Sequence, residues 1–144
     1  MNAMEAMDPE EMRRRFKGAM VARLATVGRD GRPHIVPITF AMDVDDDTIY
    51  FAIDFKPKKT ADLQRLRNIE ANPSVSVLVD HYEDDWTRLW WLRADGTARI
   101  VIDGAVFEKG IALLTHRYAD YRSARPAGPV VSIAIDRMTG WSAS

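Results

Sequence analysis

The sequence contains no cysteine, which excludes disulfides, thiolate nucleophiles and cysteine-ligated metals. It has no apolar run long enough to span a bilayer. Its N-terminus lacks the charged segment followed by a hydrophobic stretch that marks a secretory signal. There is no excess of either charge, the net value being −1, and this argues against a general nucleic-acid binder. HExxH, GxSxG, Walker A and GxGxxG patterns are all missing. The three histidines, His34, His81 and His116, show no metal-site spacing. What remains is a cytoplasmic protein with no membrane or nucleic-acid partner. With no nucleophile or metal in evidence, any enzymatic chemistry would fall to an organic cofactor.

At 144 residues the chain suits one domain with a normal core, and no Gly-, Ser- or Pro-rich linker divides it. Met1, Met4 and Met7 leave several natural starts open. Residues 1–7 are therefore read as a disordered or appended N-terminus, and 8–144 as the domain. Asp8-Pro9-Glu10-Glu11 opens a helix with an acidic first turn. Strands are expected over 20–27, 33–42, 48–53, 74–80, 89–102 and 130–135. Gly28–Gly31 makes a hairpin turn between the first two. The run Asp43 to Asp47 lacks the Gly and distal Glu of a calcium loop and reads as a solvated turn. Asp95-Gly96 is either a two-residue hairpin or a bulge in one long strand. Asp103 is placed to cap a second long helix, whose Phe107, Ile111, Leu114, Tyr118 and Tyr121 keep helical spacing as a core or dimer stripe. Six strands with long helices between only some of them imply a closed antiparallel barrel with helices outside.

Phe55 to Pro73 is the most informative stretch. A strand empties into Lys56, Lys58 and Lys59, Thr60 stands at an expected helix N-cap, and Leu63, Leu66 and Ile69 supply an apolar stripe that Asn72-Pro73 ends. Lys56, Lys58, Lys59, Arg65 and Arg67 face one acid, Asp62. Helix-terminal amides beside such charge favour a phosphate; a solvated lysine loop is the competing reading. Pro37, within a strand, leaves backbone groups free either for a flat heterocycle or simply at a protected sheet edge. Trp90 and Trp91 point to opposite faces of their strand, so Trp86, Trp90 and Trp91 divide between core or dimer packing and a planar ligand.

LATVGRDGRPHIVPITF (24–40), the lysine segment ending in Asn72-Pro73, and DHYEDDWTRLWWLRADGTARI (80–100) together resemble the pyridoxamine 5′-phosphate oxidase-like split-barrel proteins. KPKKTADLQRLRNI and DWTRLWWLRADG are similar to the branch that uses the deazaflavin coenzyme F420. The resemblance covers roughly residues 12–142. It implies a mainly β chain with α, a six-stranded antiparallel split β-barrel with outer helices, and it favours the bulge at Asp95-Gly96. It also implies a homodimer with the cofactor at the subunit interface.

In such proteins the ring lies along the second strand, here Pro37, Ile38 and Thr39. Counting back from Asn72-Pro73 puts Arg65 at the usual phosphate position, while the helix-terminus argument favours Lys58, Lys59 and Thr60. All four are kept, with Trp86 and Trp90, as the expected cofactor-binding set. No side chain is expected to act as a nucleophile, and no metal is expected. The function implied is an F420-dependent oxidoreductase acting on a small planar or conjugated substrate. An FMN-binding oxidoreductase of the same fold is the near alternative, and a non-catalytic cofactor carrier or haem-binding protein the alternative of another class. Oxidation of pyridoxamine phosphate is not expected, since the further substrate-phosphate residues of true oxidases fall beyond Ser144.

Overall fold

The structure, a computed structural model, describes residues 5–53 and 63–143. It contains strands β1 (Glu5–Ala6), β2 (Ala22–Val27), β3 (Pro33–Ile38), β4 (Ala41–Asp43), β5 (Thr48–Ala52), β6 (Ser74–His81), β7 (Trp90–Val101) and β8 (Val130–Ser142). Helices are α1 (Pro9–Gly18), α2 (Gln64–Ala71), α3 (Gly104–Arg117) and α4 (Ala119–Ser123). The strands form one antiparallel sheet in the order β3-β2-β6-β7-β8-β5-β4, with β1 added alongside β8. β3 and β4 stand at opposite ends of this path, yet only Thr39 and Phe40 join them. Three peptide units reach roughly 11 Å at most, so the sheet must curl until its ends meet. The result is the expected mainly β, antiparallel split barrel with helices packed against it.

Its interior is filled by alternate residues of the strands, among them Leu24, Ile49, Phe51, Val77, Leu92 and Ile133, each under 2 % exposed. Asp8 caps α1, its carboxylate accepting from the Glu10 amide, and the helix sends Met12 and Phe16 into the same core. Ile69 of α2 is buried there too, while Asn68 hydrogen-bonds Thr26 Oγ1 at 3.0 Å, tying α2 to β2 through a buried polar pair. α3 packs Ile111 on Tyr50 and Val130, outside β5 and β8. No helix of the described residues is long and apolar enough to cross a membrane.

Several expectations are corrected. The single strand over 33–42 is broken at Thr39-Phe40, and Glu5–Ala6 pair with β8, so eight strands stand where six were expected. Met7 beside them is buried. At Asp95-Gly96 the reading favoured by the resemblance holds and the hairpin does not: β7 runs straight through, and the register shift opposite it leaves Asp136 of β8 as the extra residue; a side chain at Gly96 would lie 2.4 Å from the Ala134 carbonyl of β8. Glycine is used for close backbone approach here, not for a turn. β8 continues to Ser142 instead of stopping at 135, since β7 offers it a partner along its whole length. Asp103 makes no side-chain cap bond to α3, and the helical stripe breaks at Tyr118 between α3 and α4.

Thr60 lies outside the described residues. The described helix α2 starts at Gln64, with Leu63 at its N-cap position and no side-chain cap. In the acidic turn, Asp43 is ion-paired with Lys109 and Asp47 bidentately with Arg13.

Candidate functional site

The split in the barrel also opens onto a cavity. Phe40, in the two-residue link between β3 and β4, lies outside the sheet's ladders, so its backbone groups need other partners. Tyr118, at the α3–α4 junction, supplies them. Its hydroxyl accepts from the Phe40 amide at 2.9 Å and has the carbonyls of Phe40 (2.8 Å) and Met20 (3.0 Å) as acceptors for its hydrogen. Burial pushes this phenol above its ordinary value. One turn on, the Tyr121 hydroxyl meets Thr39 Oγ1 at 3.2 Å, and the two tyrosine rings pack edge to face with centroids 5.7 Å apart. The α3–α4 junction is thereby fixed as a wall beside the end of β3.

Between that wall and the start of α2 lies a cavity of about 760 Å³, within the size range of small-molecule sites. Ile38, Phe51, Ala52, Ile53 and Leu63 supply its apolar lining, Pro37 and Thr39 line its β3 side, and Arg65, Arg117, Tyr118, Asp120, Tyr121 and Arg122 supply its polar groups. β3 is the end strand of the sheet and pairs only with β2 among the described residues, so Pro37 sits where a missing amide hydrogen is tolerated.

The three guanidinium groups differ. Arg117 donates to the carbonyls of Gly18 (3.1 Å) and Ala19 (3.0 Å), bracing the end of α1. Arg122 donates to the carbonyls of Thr115 (3.0 Å) and His116 (2.9 Å), closing the end of α3. Arg65 makes no hydrogen bond or ion pair among the described residues, and burial alone lowers its pKa from the ordinary arginine value. A partly desolvated cation left open in a cavity wall is an anion acceptor.

Of the nine residues expected at a cofactor site, the structure brings Pro37, Ile38, Thr39 and Arg65 to this cavity. Lys58, Lys59 and Thr60 lie outside the described residues. Trp86 and Trp90 do not line it. Trp86 sits on a 3-10 turn, Trp86–Arg88, 68 % exposed, with its indole N–H donating to the Tyr82 hydroxyl. Trp90 lines a second cavity of about 370 Å³ with Arg15, His81, Thr87, Arg88 and Ser142. Its ring is stacked by His81 and overlain by the Arg15 guanidinium at 5.1 Å. Trp91, on the opposite face of β7, joins Ala25, Ile35 and Leu78 in an apolar patch on the outside of the sheet, edged by Arg23, Asp80 and Arg93. None of the three histidines lines the large cavity.

Sequence reading took Tyr118 and Tyr121 for a packing stripe and overlooked Arg117 and Arg122. A signal was present: the aliphatic stripe of α3 turns to tyrosine at its end, and a tyrosine's polar tip needs a partner when its ring is buried.

The family described as pyridoxamine 5′-phosphate oxidase matches residues 8–142. The chain therefore belongs to the pyridoxamine 5′-phosphate oxidase-like family of split-barrel proteins. Similar solved structures include the conserved protein Rv2991 of Mycobacterium tuberculosis, with 22 % identity over 95 % of this chain and 86 % of the other at a TM-score of 0.76. A FAD-binding protein of Mesorhizobium loti has 20 % identity over 98 % and 97 %, with a TM-score of 0.75. The heme storage protein HutZ of Vibrio cholerae has 21 % identity over 92 % and 93 %, with a TM-score of 0.69. At these identities the likeness is one of fold. No curated protein sequence matches the chain.

Proposed function

We propose that the protein is an F420-dependent oxidoreductase that transfers a hydride between the deazaflavin and a small planar or conjugated acceptor. The observation that carries this is Arg65: an open, partly desolvated guanidinium in the wall of a cavity of mixed polar and apolar lining, whose other side is the β3 edge that has no strand partner among the described residues. That donor set fits a flat ring joined to a phosphate. Pro37, Ile38 and Thr39 would border the ring, and Arg65 would hold the phosphate together with Lys58, Lys59 and Thr60. The reduced deazaflavin supplies a hydride when bound. The chain's own task is then to orient the two reactants, exclude water with Ile38, Phe51 and Ile53, and place hydrogen-bond donors where charge develops.

The preference for F420 over FMN rests on the likeness of KPKKTADLQRLRNI and DWTRLWWLRADG to the deazaflavin branch, and on Lys56 and Arg67 as further cations for an acidic tail. The apolar outer patch around Ile35 and Trp91 is the face a second copy would cover in a homodimer with the site at the interface. That face also carries both charge signs, as a twofold contact needs.

The test is side-by-side titration of the protein with F420, FMN and haem, followed by tryptophan fluorescence. F420 is expected to bind most tightly, with a margin over FMN that shrinks as salt rises. Reduced F420 is expected to pass its hydride to a quinone-like or enone acceptor. Equal or tighter FMN binding, with flavin-coloured protein from cells that make no F420, would move the assignment to FMN; tight haem binding alone would move it to a haem protein.

A further inference from the structure

Thr26 of β2 and Asn68 of α2 are polar side chains set in the interior, 1 % and 3 % exposed. Asn68 is bonded on both sides of its amide. Its nitrogen donates to Thr26 Oγ1 at 3.0 Å, and its Oδ1 accepts from Gln64 Nε2 at 2.7 Å. Gln64 Oε1 in turn accepts from the Arg67 guanidinium at 2.6 Å. The turn between β2 and β3 leaves room for this relay: a Cβ at Gly28 would stand 3.0 Å from Asn68 Oδ1.

Packing does not call for these polar groups. Leu66 and Ile69 already seat α2 on the core, and a bonded amide and hydroxyl can be exchanged for apolar groups of the same shape at little cost in stability. Apolar contact has no direction, however, whereas a hydrogen bond does, so only the latter fixes the rotation of a helix about its axis. α2 needs that fixing, because its first turn has no side-chain cap. The same turn carries Arg65, whose partly desolvated charge is drawn toward water. The Gln64–Asn68 bond spans this turn, and the Asn68–Thr26 bond pins it to β2.

We propose that Thr26, Asn68 and Gln64 are positioning residues for Arg65: their relay holds the first turn of α2 on β2, so that the guanidinium stays in the cavity wall to receive a phosphate. This rests on the reading of Arg65 as the anion acceptor and adds the residues that place it. None of the three lines the cavity, so the relay acts on a ligand only through Arg65. It spends buried polar groups on the orientation of one side chain, where Leu and Val would have held the helix without orienting it.

The experiment titrates two ligands by fluorescence: F420, and the same ribityl deazaflavin without the phosphate and the tail beyond it. The ratio of their affinities isolates what the anion site contributes. It is measured for wild type, for Thr26→Val combined with Asn68→Leu, and for the hydroxyl-retaining Thr26→Ser. A charge-assisted hydrogen bond to phosphate is worth about tenfold or more in affinity. The double variant is expected to lose that factor for F420 alone, with its melting temperature held or raised, while Thr26→Ser keeps the wild-type ratio. An unchanged ratio in the double variant overturns the proposal. So does an equal loss for both ligands, which would make the pair a prop for the whole cavity, or a ratio lost in Thr26→Ser. Gln64→Met cuts the relay at its outer end without touching the core, and it decides the matter if the double variant does not fold: a ratio lowered about threefold, the worth of a neutral hydrogen bond, supports the proposal, and an unchanged one overturns it. A wild type that takes up neither ligand, or both equally, brings down the reading of Arg65 as anion acceptor, and this inference with it.

Discussion

Replacing Arg65 separates a residue kept for binding from one kept for folding. Arg65→Met keeps an unbranched apolar stem and removes the charge. In the folded protein that charge is partly desolvated and has no partner among the described residues, so it opposes folding. The guanidinium stays protonated throughout the working pH range even with its pKa lowered, so this cost does not titrate. Removing it should leave stability unchanged or raise it by up to about 1 kcal/mol, the site being partly open and screened. For a chain of this size that is a rise in melting temperature of roughly 2–4 °C at most. Ligand binding should move the other way. A charge-assisted bond to phosphate contributes about 1.5–3 kcal/mol, so F420 affinity should fall about tenfold to a hundredfold.

The assay is a thermal melt of the free protein together with fluorescence titration at low salt, where the difference is largest. Opposite signs in the two measurements support the anion site. A fall in melting temperature with unchanged F420 affinity would refute it and make Arg65 a structural residue.

Three other perturbations follow from the same geometry. Gly96→Ala places a methyl group 2.4 Å from the Ala134 carbonyl and 2.9 Å from Ile133 Cγ2, where a ladder leaves no room, so denaturant melts should show a loss of about 3 kcal/mol or more. Asp47 is held below its ordinary value chiefly by its hydrogen bond from Arg13. Such a depressed carboxylate contributes stability above its unfolded pKa of about 3.9 and loses it as pH falls through the lower folded value. Asp47→Asn should therefore flatten the acid limb of the stability–pH curve below about pH 4, and an unchanged limb would exclude the pair as a contributor. Sedimentation should find a dimer at micromolar concentration that Ile35→Asp, on the apolar outer patch, converts to monomer; a wild-type monomer would contradict the shared site.

Features that depend on pattern were legible before the structure. Strand alternation, the Asp8 cap of α1 and the Asn72-Pro73 stop after α2 each follow from a few adjacent residues. What escaped depends on partners far apart in the chain. Local chemistry reads Asp95-Gly96 as a turn, and only the approach of Ala134, nearly forty positions on, explains its glycine. Tyr118 meets Phe40 across 78 positions, so nothing near either residue announces the bond. Arg65 was legible only by counting back from Asn72-Pro73, because a lone arginine on a helix has no local signature; its isolation shows only once the cavity around it is formed.

The position of the site has a physical reason. A fully closed barrel gives every strand amide and carbonyl a ladder partner and has no edge at which a ligand could compete. By running from β3 to β4 through two residues without pairing them, this chain leaves an edge strand with free backbone groups and an apolar interior within reach. The gap would be unstable if left open to water on every side. Tyr118 closes it from the α3–α4 wall by bonding to the Phe40 amide and carbonyl that the sheet leaves over, while Arg117 and Arg122 brace that wall through carbonyls at the ends of α1 and α3. That wall ties much of its polar surface to the scaffold, while the exposed Thr39–Tyr121 hydroxyl pair bonds only to itself and the Arg65 guanidinium has no partner among the described residues. One is a neutral donor and the other a cation, both lining a cavity that also presents Ile38, Phe51 and Ile53. A ligand that satisfies both must carry an anion at one end and place an oxygen acceptor near the other, with a flat apolar body between. A phosphate-bearing ring meets that description; a wholly apolar ligand leaves the partly desolvated guanidinium without a partner.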